Sequence, residues 1–280
     1  MGPAAAAIGA ANVSALVKLI LKRSVSAGAD IQATLQFYNL SAALILALVF
    51  GLPDFGTLNA EAAGLLALSG CLWVSGSSYD TKAYEHLEAS ASEVLGSLSL
   101  IFVTLAGIFL YGETIAEEGY VGICIILACI VLGGDISGIR LNLGLVHKLV
   151  GIVFQSAALI VDRHLATLIP ANEVAFYAFA MCGLLHLTIA RTSASQIPDT
   201  IQKCGPELLM LPILGAARYY LLIYALANGS LALSYALLQT TMIFIFIIEA
   251  AFLGLQQDLL KRGVHCACCA TGAAVLLLSG

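Results

Sequence analysis

Apolar residues occur along the chain in long runs that are separated by short polar segments. A helix needs about 20 apolar residues to cross roughly 30 Å of hydrocarbon, and ten runs approach that length. They extend approximately over Pro3 to Leu21, Ala33 to Phe50, Ala62 to Asp80, Ala89 to Tyr111, Gly119 to Gly134, Gly144 to Val161, Val174 to Ala190, Glu207 to Asn228, Ser230 to Leu253 and Gly263 to Ser279. The pattern predicts about ten transmembrane helices with very little chain outside the bilayer.

The second half of the chain repeats the first in an ordered register. An offset of 142 residues aligns Gly9 with Gly151, Phe37 with Phe179, Ala83 with Ala225, Ser92 with Ser234, Leu95 with Leu237, Ile101 with Ile243, Phe102 with Phe244 and Gly112 with Gly254, and two further residues align Gly119 with Gly263 and Cys124 with Cys268. Because each half has an odd number of spans, the halves enter the membrane in opposite orientations. We therefore predict an all-α polytopic membrane protein of two inverted five-helix repeats, residues 1–140 and 141–280, with alternating access to a site between them.

The composition supports lipid as the main solvent of this chain. Of the 280 residues, 60% are hydrophobic and 10% charged, which leaves too little polar surface for a soluble domain. The net charge of −5 does not indicate a nucleic-acid partner. Seven of the eight cysteines fall inside apolar runs, and the Cys266–Cys269 cluster has no partner at a zinc-site spacing. We expect no metal and no other cofactor.

The positive charges indicate one membrane orientation. Nearly all of them follow odd-numbered spans: Lys22, Arg23, Lys82, Arg140, Lys148, Arg191, Lys203, Lys261 and Arg262, against Arg163 on the other side. The positive-inside rule would place those loops in the cytoplasm and both termini outside.

Two segments resemble the EamA-type repeat of the drug/metabolite transporter superfamily. The first runs from Ala83-Tyr-Glu-His-Leu-Glu-Ala-Ser-Ala through Ile108-Phe-Leu-Tyr-Gly-Glu113, and the second from Tyr224-Ala-Leu-Ala through Gln239-Thr-Thr to Phe252-Leu-Gly254. Together with Gly9, Asn12 and Lys18 in the first span and Asp162-Arg163 after the sixth, the likeness covers nearly the whole chain.

The resemblance implies a secondary transporter of small metabolites, such as amino acids or related organic solutes, in the cell (inner) membrane. It also implies cytoplasmic termini, contrary to the charge count, so the orientation stays open. The sequence departs from the family pattern in lacking proline near Leu100 and Met242, and in lacking a glutamate after Gly254. No phosphate-binding Gly-x-x-x-x-Gly-Lys loop is present, so an ATP-driven pump would need another subunit.

Two ionisable residues lie deep in the predicted spans. Arg218 is about eleven residues into the eighth span, roughly 16 Å along the helix. An isolated arginine there costs at least about 3 kcal/mol, so we expect it to face the interior, either binding an anionic substrate or forming a structural ion pair. Tyr219 and Tyr220 follow it, one of the two must share its face approximately, and we take Tyr219 as the candidate. Glu249 in the ninth span is its candidate partner or, alternatively, a protonatable switch.

Further polar residues extend the candidate substrate site. Glu93 begins the fourth span, where its side chain either reaches into the bundle or is simply stabilised by the positive end of the helix dipole. Asn12 and Gln155 are roughly equivalent in the two halves, and Gln239 adds an amide in the ninth span. These amides would bind polar substrate groups or hold helices together. For Lys18 we favour an extended side chain that reaches the membrane interface.

Aromatic and small residues complete the interpretation. Trp73 and Tyr79 in the third span would line a cavity or sit at the membrane interface, and we favour the interface for Tyr84. Gly263, Ala267 and Thr271 form a small-residue seam in the tenth span, for packing within the protomer or in a homodimer. The expected partners are thus a small-molecule substrate, the lipid bilayer and a coupling proton or ion.

Two alternative functions stay open. A nucleotide-sugar or phosphate-ester carrier shares the ten-span plan, but its site would need several inward cations, and only Arg218 and Lys18 qualify by sequence. An intramembrane aspartyl protease is less favoured, because Tyr79-Asp80 resembles half of its signature whereas the segment ending at Asp135 lacks the second half. We predict that the chain is not an enzyme.

Overall fold

A computed structural model describes residues 1–87, 92, 95–96, 98–133, 142–188 and 196–252, and, near the C-terminus, residues 264, 267–268, 270–275 and 278. Within this part every long element is an α-helix. The helices are α1 (Pro3–Ser26), α2 (Ile31–Phe50), α3 (Ala60–Ala83), α4 (Ser99–Tyr111), α5 (Glu117–Gly133), α6 (Leu143–Leu168), α7 (Ala171–Thr188), α8 (Gln196–Cys204), α9 (Glu207–Asn228), α10 (Leu231–Leu238) and α11 (Thr241–Phe252). The all-α fold class is confirmed.

Four of the described helices are long and apolar enough to cross a membrane. They are α1, α2, α6 and α9. Large apolar side chains point outward on the helices, with Leu48 77% and Phe109 79% exposed, whereas small residues such as Ala7 and Ala10 are fully buried. This distribution suits a lipid solvent. The chain is therefore a membrane protein, and the division into ten spans stays a prediction.

Side-chain caps define where several helices begin. Asp30, Asn59 and Asn142 each accept a hydrogen bond from the backbone N–H three residues later, at 2.7 to 2.9 Å, which satisfies one of the unpaired donors of the first turn. At the other end of α4, Gly112 takes the left-handed conformation (φ 63°) that L side chains avoid. Polar caps and glycine thus define helix ends that the distribution of hydrophobic residues alone does not show.

The predicted ninth span consists of two helices. It divides into α10 and α11 at Gln239 and Thr240, and the hydroxyls of Thr240 and Thr241 donate to the carbonyls of Leu237 and Leu238 at 2.7 and 2.6 Å. Hydroxyls that bond back to the preceding turn compete with the helical ladder. The expectation of one continuous helix over Ser230 to Leu253 is therefore wrong, because the helix breaks at Gln239 and Thr240.

Two further expectations differ from the structure. The amphipathic helix α8 lies between the predicted seventh and eighth spans, where a search for apolar runs finds nothing. The orientation argument counts Lys148 among the charges on the side of the loops that follow odd-numbered spans, but its side chain is 3% exposed and paired with Asp80 inside the bundle, so it does not belong in that count.

Three helix pairs organise the bundle. The most extensive contacts are those of α3 with α6, α1 with α9 and α2 with α7. The glycines of α3 and α6 allow a very close approach, since a Cβ on Gly151 would lie 3.1 Å from the backbone nitrogen of Asp80. Residues of both halves therefore meet along the centre of the bundle.

A carboxylate of the first half caps a helix of the second. Glu113, two residues after the end of α4, accepts hydrogen bonds from the backbone N–H groups of Leu231 (2.5 Å) and Ala232 (3.1 Å) in the first turn of α10. Donors at a helix N-terminus favour a negative partner. This contact connects the end of α4 to the beginning of α10.

Candidate functional site

A cavity of about 130 Å³ lies at the centre of the bundle. Side chains of α1, α2, α3, α6, α7, α9, α10 and α11 line it, so both halves of the chain contribute. Its polar and charged lining residues are Ser14, Lys18, Asn39, Ser77, Asp80, Thr81, Lys148, Gln155, Arg218, Gln239 and Thr241, and its aromatic ones are Tyr38, Trp73, Tyr84, Phe179, Tyr219 and Tyr235. Polar groups gathered inside an apolar bundle are the usual mark of a ligand site.

A buried ion pair forms one part of the lining. The ammonium of Lys148 on α6 is hydrogen-bonded to the carboxylate of Asp80 on α3, and these side chains are 3% and 15% exposed. Gly96 leaves room for the lysine, since a Cβ there would lie 3.3 Å from its Nζ. In an apolar interior each charge needs the other, because removal of one partner leaves an uncompensated buried ion.

Arg218 brings a second cation to the cavity. Its guanidinium lies within hydrogen-bonding reach of the Tyr38 hydroxyl. One turn earlier on α9, Gly215 makes space for that tyrosine, because a Cβ there would overlap the ring at 2.0 Å. The Nε of Arg218 is buried and finds no acceptor among the described residues. The side chain of Arg218 lines the cavity, and guanidinium groups suit carboxylate and phosphate oxygens.

Aromatic rings in mutual contact form one wall of the cavity. Tyr38 contacts Phe179 edge to face at 5.5 Å, Phe179 contacts Tyr219 at 5.3 Å, and Tyr219 contacts Trp73 at 5.8 Å. Behind this wall the fully buried carboxylate of Asp162 accepts hydrogen bonds from Ser69 (2.5 Å), Trp73 (2.7 Å) and Tyr219 (2.7 Å). These bonds fix the orientation of two of the rings that face the cavity.

The structure brings together four of the residues that the sequence singled out. Gln155, Arg218, Tyr219 and Gln239 all line the cavity. Gln155 reaches it beside Gly76, at which a Cβ would lie only 2.7 Å from the glutamine Cγ. Amide groups can donate to and accept from a polar ligand.

Two of the candidates lie apart from the cavity. Asn12 is on an exposed face of α1, and its amide donates to the carbonyl of Ile8 in its own helix at 3.0 Å. Tyr79 is 36% exposed on the outside of α3, where its ring stacks on Phe154 at 6.3 Å. Glu93 and the side chain of Glu249 lie outside the described residues.

Several lining residues carry a role that sequence reasoning did not give them. Lys18 and Tyr84, for which we favoured the membrane interface, both line the cavity, and Tyr84 is only 1% exposed. Asp80 and Lys148 were overlooked as a pair. A signal was present, because both are charged residues that continue apolar helical runs, but only the crossing of α3 and α6 places them together.

Comparison with known proteins gives the fold alone. No family model matches the sequence, and no curated protein matches it either. One solved structure, described only as the crystal structure of a protein, is similar with a TM-score of 0.73 and 18% sequence identity, over 100% of this chain and 98% of that one. The chain therefore shares its overall fold with a solved protein along its whole length.

Proposed function

We propose that this chain is a secondary membrane transporter that moves small metabolites, such as amino acids or related organic solutes, by alternating access between two inverted repeats. The observation that carries the proposal is the central cavity, where charged, amide and aromatic side chains of both halves converge inside an apolar bundle. Ionisable groups in such surroundings are costly to keep and typically mark a substrate or ion pathway.

The helix contacts support the inverted repeats. With the 142-residue offset, α1 corresponds to α6, α2 to α7, α3 to α9 and α4 to α11. The contact of α3 with α6 then corresponds to that of α9 with α1, and the contact of α4 with α6 to that of α11 with α1. Such paired contacts are what a pseudo-two-fold axis produces, and with it two conformations that open on opposite sides.

The size of the cavity favours a small substrate. Pockets for drug-sized ligands usually measure about 300 to 1,000 Å³, well above the 130 Å³ found here. A solute of amino-acid size is the better match. Arg218 and the amides of Gln155 and Gln239 would hold its polar groups, and the aromatic wall its apolar part.

One observation favours the second candidate, a nucleotide-sugar or phosphate-ester carrier. Lys148 joins Lys18 and Arg218 in the lining, so three cations surround the cavity against the single carboxylate of Asp80 among the described lining residues. Phosphate recognition uses such clusters. An aspartyl protease is less favoured still, because it needs two aspartates that act together and Asp80 is paired with Lys148.

Exchange across proteoliposomes tests the proposal. Purified protein would be reconstituted with internal L-alanine, L-glutamate, glycerol 3-phosphate or UDP-glucose, and uptake of the same radiolabelled compound would be measured. We expect exchange of an amino acid. Exchange of only the phosphorylated compounds would promote the carrier alternative, and no exchange of any compound, with the protein folded, would contradict transport of these classes.

Arg218→Ala, with Arg23→Ala as the control, then tests the site. Arg218 faces the cavity, whereas Arg23 pairs with Glu207 on the surface with its side chain 71% exposed. Loss of a charged hydrogen bond to substrate is worth about 1.5 to 3 kcal/mol, or roughly tenfold to a hundredfold in apparent affinity. Unchanged exchange by Arg218→Ala would remove this residue from the site.

A further inference from the structure

Asp162 is a buried carboxylate that hydroxyl and indole groups hold in place. It is fully buried in α6, and its oxygens accept hydrogen bonds from Ser69, Trp73 and Tyr219. No lysine, arginine or histidine of the described part forms an ion pair with it. The next residue, Arg163, donates to the carbonyl of Leu226 and has its guanidinium 5.9 Å from the Tyr111 ring. The hydrogen-bond partners of Asp162 within the described residues are thus all neutral.

Neutral partners allow the carboxyl group to exist in two protonation states. The hydroxyls of Ser69 and Tyr219 can donate or accept, whereas the indole of Trp73 can only donate. When the carboxyl is neutral, its O–H can donate to one of these hydroxyls while Trp73 still donates to an oxygen of the carboxyl group. Every buried polar group then keeps a hydrogen-bond partner in both protonation states. A lysine or arginine partner would not permit this, because it has no acceptor for the O–H of the neutral carboxyl group.

We propose that Asp162 is a proton-binding site that communicates with the central cavity through Trp73 and Tyr219. The proton enters from water as a solvated proton, forms an O–H bond on the carboxylate and leaves by the reverse step, so no other reactant is consumed. Protonation changes the hydrogen bonds of two residues that line the cavity and contact each other at 5.8 Å. The wall that faces a substrate therefore differs between the two states.

The titratable groups around Asp162 ionise outside the pH range in which its carboxyl group is expected to titrate. The groups that face Asp162 are Ser69 and Trp73 on α3, Arg163 on its own helix, Cys182 on α7, Tyr219 on α9 and Tyr111 at the end of α4. Ordinary pKa values of cysteine, tyrosine and arginine are about 8.5, 10 and above 12. A protonation step between pH 4 and 8 in this cluster would thus come from the carboxyl group.

Trp73 reports this step directly. It is the only tryptophan in the chain, and its N–H is bonded to the carboxylate of Asp162. Its fluorescence would be recorded between pH 4 and 9 on the purified full-length protein in detergent, with no added solute. We expect one reversible transition that is absent in Asp162→Asn and preserved in Asp199→Asn, which changes an exposed aspartate paired with Lys203. A flat signal, or a transition that survives Asp162→Asn, would overturn the proposal.

A second pair of variants serves if Asp162→Asn does not fold. Tyr219→Phe and Ser69→Ala each remove one donor to the carboxylate, and one hydrogen bond to a charged group corresponds to a shift of about 1 to 2 pH units. We expect the midpoint of the Trp73 transition to move to higher pH in both. An unmoved midpoint in both variants would count against a proton on Asp162.

A role of Asp162 in coupling protons to transport rests on the proposed function, whereas proton binding by Asp162 does not. In proteoliposomes, Asp162→Asn should lose the accumulation of L-alanine or L-glutamate that a pH gradient drives, whereas the surface control Asp199→Asn should keep it. Accumulation equal to that of the wild type would contradict the coupling role. The two proposals fail separately, because a wild-type protein that exchanges no probe contradicts the transporter, and a flat Trp73 signal contradicts the proton site.

Discussion

Under the proposed 142-residue repeat, the helix pairs α3–α6 and α1–α9 correspond to each other, and each joins the two halves, but they differ in chemistry. The first carries a buried ion pair, Asp80 with Lys148, while the second has the surface pair of Arg23 and Glu207. At the positions that correspond to Asp80 and Lys148, α9 and α1 have Leu222 and Ala6. Similar packing is thus reached by two different residue sets, and the α3–α6 pair has a buried ion pair at positions where the α1–α9 pair is apolar.

The largest effect should come from breaking the buried pair. Lys148→Met removes the cation that is hydrogen-bonded to the buried carboxylate of Asp80, which we expect to lower the free energy of unfolding by about 3 to 5 kcal/mol. Arg23→Gln, the control in the other helix pair, should change it by less than about 1 kcal/mol, because exposed pairs contribute little. Thermal unfolding in detergent measures both.

The matched double variant separates charge from packing. Asp80→Leu combined with Lys148→Met removes both charges and should recover most of the lost stability, since an apolar pair of similar volume is often neutral or better. If Lys148→Met were no more destabilising than Arg23→Gln, the two helix pairs would be energetically alike and the contrast between them would disappear.

An intermediate effect should follow from filling the glycine contacts. A Cβ on Gly151 would meet the backbone of Asp80 and Gly76 at 3.1 to 3.4 Å, whereas on the corresponding Gly9 it meets only the end of the Leu221 side chain at 3.3 Å. We expect Gly151→Ala to cost about 1 to 3 kcal/mol because backbone must shift, and Gly9→Ala to cost less than about 1 kcal/mol. Equal melting temperatures for the two variants would contradict the tighter approach of α3 to α6.

The smallest effect is expected at Asn12. Asn12→Ala should change stability by no more than about 0.5 kcal/mol and leave exchange intact, because the amide bonds only to its own helix. Gln155→Leu, at the roughly equivalent position of α6, removes an amide from the cavity lining and should reduce exchange. Loss of exchange in Asn12→Ala would restore this residue to the site.

Helix positions could be predicted from sequence where proline or glycine stands at the ends of an apolar run. The eighth predicted span agrees with α9 from Glu207 to Asn228, and Pro206 and Gly229 stand at its two ends. The break at Gln239 could not be predicted in the same way, because it depends on which carbonyls the threonine hydroxyls select. The helix α8 was missed because an amphipathic segment of nine residues has no apolar run.

The candidate site could be predicted only in part. The depth of Arg218 in an apolar run identified it without a structure, because few explanations account for an arginine there. Lys148 was different. It lies near the beginning of its run, where a lysine is cheap at a membrane interface, and only the crossing with α3 shows that its partner Asp80 is buried beside it. Which charged residues contact each other depends on how the helices pack, and the hydrophobic pattern of the sequence does not give that packing.

The cap that Glu113 provides has a consequence for the direction of movement. Two backbone donors at the start of α10 depend on this carboxylate, and the position that corresponds to Glu113 in the second half is Leu255. One end of the bundle is thus fastened by a carboxylate at a position where the second half of the sequence has leucine. If the halves rock against each other, opening the fastened end costs the two hydrogen bonds, so the two conformations differ in energy. The resting state of this protein would then have a preferred side.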